Sequence, residues 1–124
     1  MGEPGTARRV LVVDDNQDSA ETIAMLVELW GHQAHIVHNG PAALAAAPVW
    51  KPNVVLLDIG LPGVDGYEVA RRLRAEPVTA GVLLIAMTGY GQDRDRQLSS
   101  EAGFDHHLVK PVDPDVLQGL LAQS

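Results

Sequence analysis

The chain has 124 residues, the size of one domain, and is long enough to bury a core without metal or disulfide staples. It contains no cysteine, which removes disulfides, thiolate metal sites and cysteine nucleophiles from consideration. Its 16 acids against 9 bases give a net charge of -7, the wrong sign for a free-standing nucleic-acid binder, while 46% hydrophobic residues are ordinary for a globular domain.

Residues 1–7 are small and polar, and they are expected to form a flexible segment ahead of one domain over residues 8–122. The first apolar run, Val10–Val13, predicts a strand ending in Asp14 and Asp15, and it is too short for a signal peptide. Ile23, Leu26, Val27 and Trp30 then fall on one face of a first helix, which Gly31 suits as a terminator. Ala34–Val37 predicts a second strand. Asn39, Gly40 and Pro41 cap and start a second helix. Pro48 breaks that Ala-rich run, so it is no membrane span, and Trp50, between Pro48 and Pro52, reads as a loop anchor. A third strand, Val54–Leu57, ends in Asp58. Asp65 caps a third helix that turns Val69, Ala70 and Leu73 inward and leaves Arg71, Arg72 and Arg74 on a solvated face. A fourth strand, Val82–Met87, leads to Thr88, and a fourth helix is expected from about Asp93 to Ala102, ended by Gly103. The fifth strand, His107–Val109, is followed by Lys110 and Pro111. Asp113 and Pro114 start a fifth helix that would bury Val116, Leu117, Leu120 and Leu121.

Strand and helix thus alternate five times, which predicts an α/β fold: a five-stranded parallel sheet, doubly wound, with helices on both faces. Ligands of such sheets bind beyond the carboxyl ends of the strands. In the strand order 2-1-3-4-5 the first and third strands are neighbours about 4.8 Å apart, so Asp14, Asp15 and Asp58 crowd one place. Like charges that close need a cation or a proton between them. The donors are hard oxygens, which favours Mg2+, with Mn2+ as the alternative, over zinc. Lys110 adds a fixed positive charge and Thr88 a hydroxyl, a set suited to a dianionic phosphoryl group. Asp58 stands alone at its strand end and is the better candidate acceptor, giving an acyl phosphate, while Asp14 and Asp15 look like a metal clamp. Any one of these acids read singly could be a helix cap or a solvated loop residue, but the convergence of acids, hydroxyl and lysine on one sheet edge disfavours that for the set. His32, His35, His38, His106 and His107 form no ligand constellation: His35 and His38 point to opposite faces of a strand and His32 lies in the preceding turn.

The segments Val10–Asp15, Val54–Asp58 with Leu61–Gly66, Met87–Gly89 and Lys110–Pro111 resemble the receiver domain of two-component response regulators, over roughly Arg8 to Leu121. The wording around Asn16–Ser19 and Phe104–Pro114 is similar to receivers attached to hybrid histidine kinases; a single-domain regulator is the other form this chain could take. The resemblance implies a flavodoxin-like (βα)5 fold and a cytoplasmic phosphoacceptor switch. Asp58 would take a phosphoryl group from a phosphohistidine on a sensor histidine kinase or a histidine phosphotransfer domain. Asp15, Asp58 and the backbone carbonyl of Gly60 would bind Mg2+, with Asp14 holding metal-bound water. Lys110 would pair with Asp58 and then with a phosphoryl oxygen, and Thr88 would move to the phosphoryl group. The Lys110–Pro111 peptide is expected to be cis. Gln17, Asp18, Ser19 and Thr22, with Pro111, are similar to the surface that receives the phosphohistidine helix. Output would run through the face of helix 4, strand 5 and helix 5, with no direct contact to nucleic acid or membrane. The domain would catalyse its own phosphorylation and dephosphorylation without turning over a separate substrate.

Two features depart from the family pattern. His107 stands where the family usually places a Tyr or Phe switch residue, so it is either a pH-sensitive switch or a semi-exposed edge residue without that role. Gly60 and Tyr90 occupy the positions that tune hydrolysis; a residue without a side chain and a shielding ring predict slow loss of phosphate. A phosphatase of the haloacid dehalogenase type would need an acid where Gly60 stands. A flavodoxin-like cofactor binder would need a phosphate loop where Asp14 and Asp15 stand. A receiver that is never phosphorylated is disfavoured because the acids, Thr88 and Lys110 are all present.

Overall fold

The computed structural model describes residues 7–59, 66–89 and 101–123. Their elements, in chain order, are β1 (Arg9–Val13), α1 (Gln17–Leu29), β2 (Gln33–Val37), α2 (Gly40–Trp50), β3 (Val54–Asp58), α3 (Gly66–Ala75), β4 (Leu83–Thr88), β5 (His106–Val109) and a C-terminal helix, here α4 (Pro114–Gln123). The strands form one parallel sheet in the order β2-β1-β3-β4-β5, as the alternation predicts. Of the expected fourth helix only Glu101 and Ala102 are described; they are helical, and Gly103 follows at a φ of +105°, the left-handed conformation that ends a helix. The fifth predicted helix is therefore α4.

Side-chain parity divides the core into two. Leu11, Val13, Val55, Leu57, Leu84 and Ala86 pack with α2 and α3 on one face of the sheet. Val10, Val12, Val54, Leu56, Ile85 and Met87 pack with α1 and α4 on the other. Successive residues of a strand point to opposite faces, so a strand covered on both sides must be apolar throughout. β3, the middle strand, is accordingly buried at all five positions. Each such Leu or Val contributes about 1.5–3 kcal/mol of burial.

The loops are held by side-chain caps and by glycines, of which Asn39 and Gly31 are the two the sequence suggested. The Asn16 side chain accepts from the Ser19 N–H and caps α1, and the Asn39 side chain accepts from the Ala42 N–H and caps α2. Gly31 ends α1 at a φ of +92°. Gly66 opens α3 against the end of β3: a Cβ there would stand 2.6 Å from the Ile59 Cα, so only glycine lets the helix start so near Asp58.

Three expectations are corrected. Trp50 is not a loop anchor: α2 continues through Pro48 and ends on Trp50, which packs on the α2–α3 face with its ring 5.4 Å from that of His35. Val116 is 47% exposed; α4 buries Leu117 and Leu121, with Leu120 partly covered. Arg74 does not share the solvated face of Arg71 and Arg72. Those two pair with Glu68 in the solvent, whereas Arg74 folds under the sheet. Its guanidinium donates to the carbonyls of Gly103, Ala80 and Val82 and pairs with Asp105 at 2.8 Å. Asp105 in turn accepts from the Leu84 N–H. Arg74 thus joins α3 to both strands beyond it.

Arg74→Met removes these charge-assisted bonds and leaves carbonyls without a donor. We expect a loss of about 3 kcal/mol, read as a lower urea midpoint, with little recovery in Arg74→Lys because one ammonium cannot span the set. A second expectation concerns His32, whose Nδ1 accepts the Arg8 backbone N–H. Burial, and after it the Arg8 charge, holds its pKa below the usual 6.5. The unfolded chain takes up this proton first, so the contribution is whole above pH 6.5 and is lost as pH falls below it. His32→Asn, which keeps an acceptor but cannot titrate, should flatten the stability profile of the protein below pH 6.5.

Candidate functional site

Sheet register assembles the site. Val13 lies opposite Leu57 and Val37, and Leu57 lies opposite Ala86, so β1, β3 and β4 run out together. Asp14 follows β1, Asp58 ends β3 and Thr88 ends β4. Thr88 lies opposite Val109, and its carbonyl accepts the Lys110 N–H at 2.7 Å. That bond carries the sheet pattern one residue beyond β5 and fixes where the lysine side chain begins. The next peptide, Lys110–Pro111, is cis, as expected.

The side chains converge. Lys110 Nζ donates to Asp58 Oδ2 at 2.9 Å and to Asp14 Oδ2 at 3.0 Å. Asp14 is fully buried and Asp58 and Thr88 nearly so, while Asp15 is exposed. Carboxylate oxygens of Asp14, Asp15 and Asp58 all lie within 4.8 Å of one another. Burial works to lower the Lys110 pKa, but the two carboxylates outweigh it and hold the amine above its ordinary value, so it is charged at neutral pH. Its contribution to stability is present below pH 10.5 and is lost only as pH rises through the higher folded value.

This donor set fits a hard divalent cation. Three carboxylates and one ammonium sum to two negative charges, and oxygen is the only donor element. Asp14 has more partners than a plain metal clamp. Besides Lys110, it accepts the Asn16 N–H on Oδ1, and its carbonyl lies 3.0 Å from His38 Nδ1. Because a carbonyl only accepts, this contact calls for the tautomer in which Nδ1 carries the proton. His38 is a neighbour that sequence reasoning missed; the alignment of β2 with β1, which brings Val37 beside Val13, is the signal that pointed to it.

His107 lies opposite Ala86 on β5 and is partly buried. Gly60 and Tyr90 fall outside the described residues. A groove of about 260 Å3 lies beside Lys110, between Asp18, Thr22 and Leu26 of α1 and the Pro111–Val112 segment. Among the described residues no helix is long and apolar enough to cross a membrane.

Comparisons with known proteins agree with this geometry. Residues 10–122 match the family model of the response regulator receiver domain. The protein PilH of Pseudomonas aeruginosa is 34% identical over 109 residues, covering 88% of this chain and 90% of that protein. The phosphate regulon transcriptional regulatory protein PhoB of the same organism is 34% identical over 86% of this chain, which spans about half (47%) of its length. Among solved structures, the receiver domain of a sensor histidine kinase from Pseudomonas aeruginosa, with a magnesium ion coordinated in its active-site cleft, superposes with a TM-score of 0.87 at 29% identity, covering 95% of this chain and 97% of that one. A response regulator from Chloroflexus aurantiacus gives a TM-score of 0.87 at 27% identity, with 94% and 99% covered. With the five-stranded order, the acid cluster and these matches together, the chain belongs to the response regulator receiver domain family, the phosphoacceptor switches of two-component signalling.

Proposed function

We propose that Asp58 is the phosphoacceptor of this switch. The observation that carries the reading is the Lys110 ammonium held between Asp58 and Asp14, with the Asp15 carboxylate in reach of both acids. Asp58 is the acid at the end of the central, fully buried strand, and it shares its lysine with a deeper neighbour. An Asp58 oxygen would attack the phosphorus of a partner's phosphohistidine. The phosphorus–oxygen bond forms as the phosphorus–nitrogen bond breaks, the electron pair leaves with the imidazole, and an acyl phosphate remains. Asp15 and Asp58, with the Gly60 carbonyl, would hold Mg2+ directly and Asp14 through water. Mn2+ would suit the same oxygens. The cation supplies charge neutralisation for the transferring group. Lys110 would pass from the Asp58 carboxylate to a phosphoryl oxygen, and Thr88 would donate its hydroxyl to another.

The same reading gives the partners. Receiver domains take their phosphoryl groups from histidine kinases, and PhoB is by name a transcriptional regulator. For this chain the donor would be a sensor kinase or a phosphotransfer domain docking along the α1 groove beside Lys110. The output partner would read the face that includes β5 and α4, with His107 as the residue in the switch position. The domain would sit in the cytoplasm and catalyse only its own phosphorylation and hydrolysis.

The decisive experiment is incubation with Mg2+ and acetyl phosphate followed by intact mass. We expect one added phosphoryl group, absent without the metal and absent in Asp58→Ala. An adduct that persists in Asp58→Ala places the acceptor elsewhere. Hydrolysis gives a separate expectation. With glycine and tyrosine at positions 60 and 90, the phosphoryl state should be durable, and Gly60→Asn combined with Tyr90→Glu should shorten its half-life in Mg2+ by about tenfold or more. Equal decay of variant and parent would remove these two positions from the control of hydrolysis.

A further inference from the structure

We propose that the amino end of the sheet, opposite the acid site, carries a second binding site for a small organic anion: a carboxylate or phosphate on an apolar body. A cavity of about 990 Å3 opens there, in the size range of small-molecule sites and larger than the groove beside Lys110. Its walls bring Arg8 and Asn53, at the starts of β1 and β3, to face Arg74 and Asp105.

The charges are unequally satisfied. Arg74 is fully engaged by carbonyls and by Asp105. Asp105 pairs with Arg74 and accepts the Leu84 N–H, both on Oδ2, so its charge is already partly engaged. Arg9, beside the cavity, donates to the Trp50 carbonyl. Arg8 differs: its Nε is buried and has no hydrogen-bond partner among the described residues, and its guanidinium makes no ion pair among them. A buried donor without an acceptor is uncommon. A planar guanidinium fork is matched by the paired oxygens of a carboxylate or phosphate.

Apolar groups stand at the rim, where Pro77 and Val78 are exposed and Leu83 partly so. Phe104 and Val82 form a nearly buried floor, and Val78 is 55% exposed at the rim. A guanidinium fork at one side and the aliphatic rim groups at the other suit an anion with an apolar body.

Titration of the whole 124-residue, 15N-labelled chain without Mg2+, using benzoate, phenyl phosphate and neutral benzamide as probes, tests this. We expect saturable shifts of the Asn53, Val82 and Asp105 amides with at least one of the two anions, and binding of benzamide at least about tenfold weaker. Benzoate against phenyl phosphate identifies the preferred headgroup. Arg8→Gln should reduce anion affinity to the level of benzamide. Equal binding of anion and benzamide on the native chain overturns the proposal, and that comparison decides even if the variant does not fold. Shifts confined to the Asp58 end of the sheet, or the absence of saturable shifts, overturn it as well.

Discussion

The arrangement depends on one ammonium group shared by two buried carboxylates. Asp14 has no exposed surface and Asp58 little, and each would be costly as an unpaired charge, by several kcal/mol. Lys110 is the group that makes their burial tolerable, and it sits 2.9–3.0 Å from both. Its position is not set by the side chain alone. Its backbone N–H is fixed on the Thr88 carbonyl, and Thr88 is fixed by the pairing of β4 with β3 and β5. A one-residue slip of any of these strands would turn its core face to the helix layer behind and move the acids apart. Register therefore serves the core and the site at once.

The two ends of the sheet have opposite characters. At the carboxyl end, three acids outnumber one lysine. At the amino end stand Arg8, Arg9 and Arg74, of which the latter two are used to tie down carbonyls left exposed where strands begin. The net charge of -7 therefore hides a polarity along the strand axis. Two negative charges of it belong to the acid site, where a divalent cation would cancel them.

Much of this was legible in the sequence because each site residue ends an apolar run. Asp14, Asp58, Thr88 and Lys110 could be placed at one edge without knowing any contact, since parallel strands with crossover helices put their carboxyl ends together. The helix faces were legible to the extent that their phase was unambiguous, as with Ile23 and Val27 or Val69, Ala70 and Leu73. Arg74 was misread because three arginines lie in four positions. Its phase, four residues beyond Ala70, already put it on the inward face, but a charged side chain there depends on carbonyls brought by Ala80, Val82 and Gly103, which no local pattern reveals. Val116 was misread for the converse reason: an apolar residue beside Leu117 is turned about 100° from it and stays in solvent. Pro48 fitted within α2 although a proline generally ends a helix, and this carried Trp50 from the loop into the helix.

The shared lysine also indicates how a change of charge could leave the site. On the proposed chemistry, Asp58 exchanges one negative charge for roughly two on the phosphoryl oxygens. Lys110 then faces a stronger and more distant acceptor, and its hold on Asp14 competes with that new pull. The residue cannot move freely, because its own N–H is bonded to the backbone of Thr88, whose hydroxyl is the other expected phosphoryl partner. Charge at β3 is thus tied mechanically to the ends of β4 and β5. His107 lies three residues before Lys110 on the latter strand, opposite Ala86 and partly buried. An imidazole is smaller than a phenol ring, and the His107 Nε2 is buried, so this position differs from the family's aromatic residue in size and polarity inside the fold.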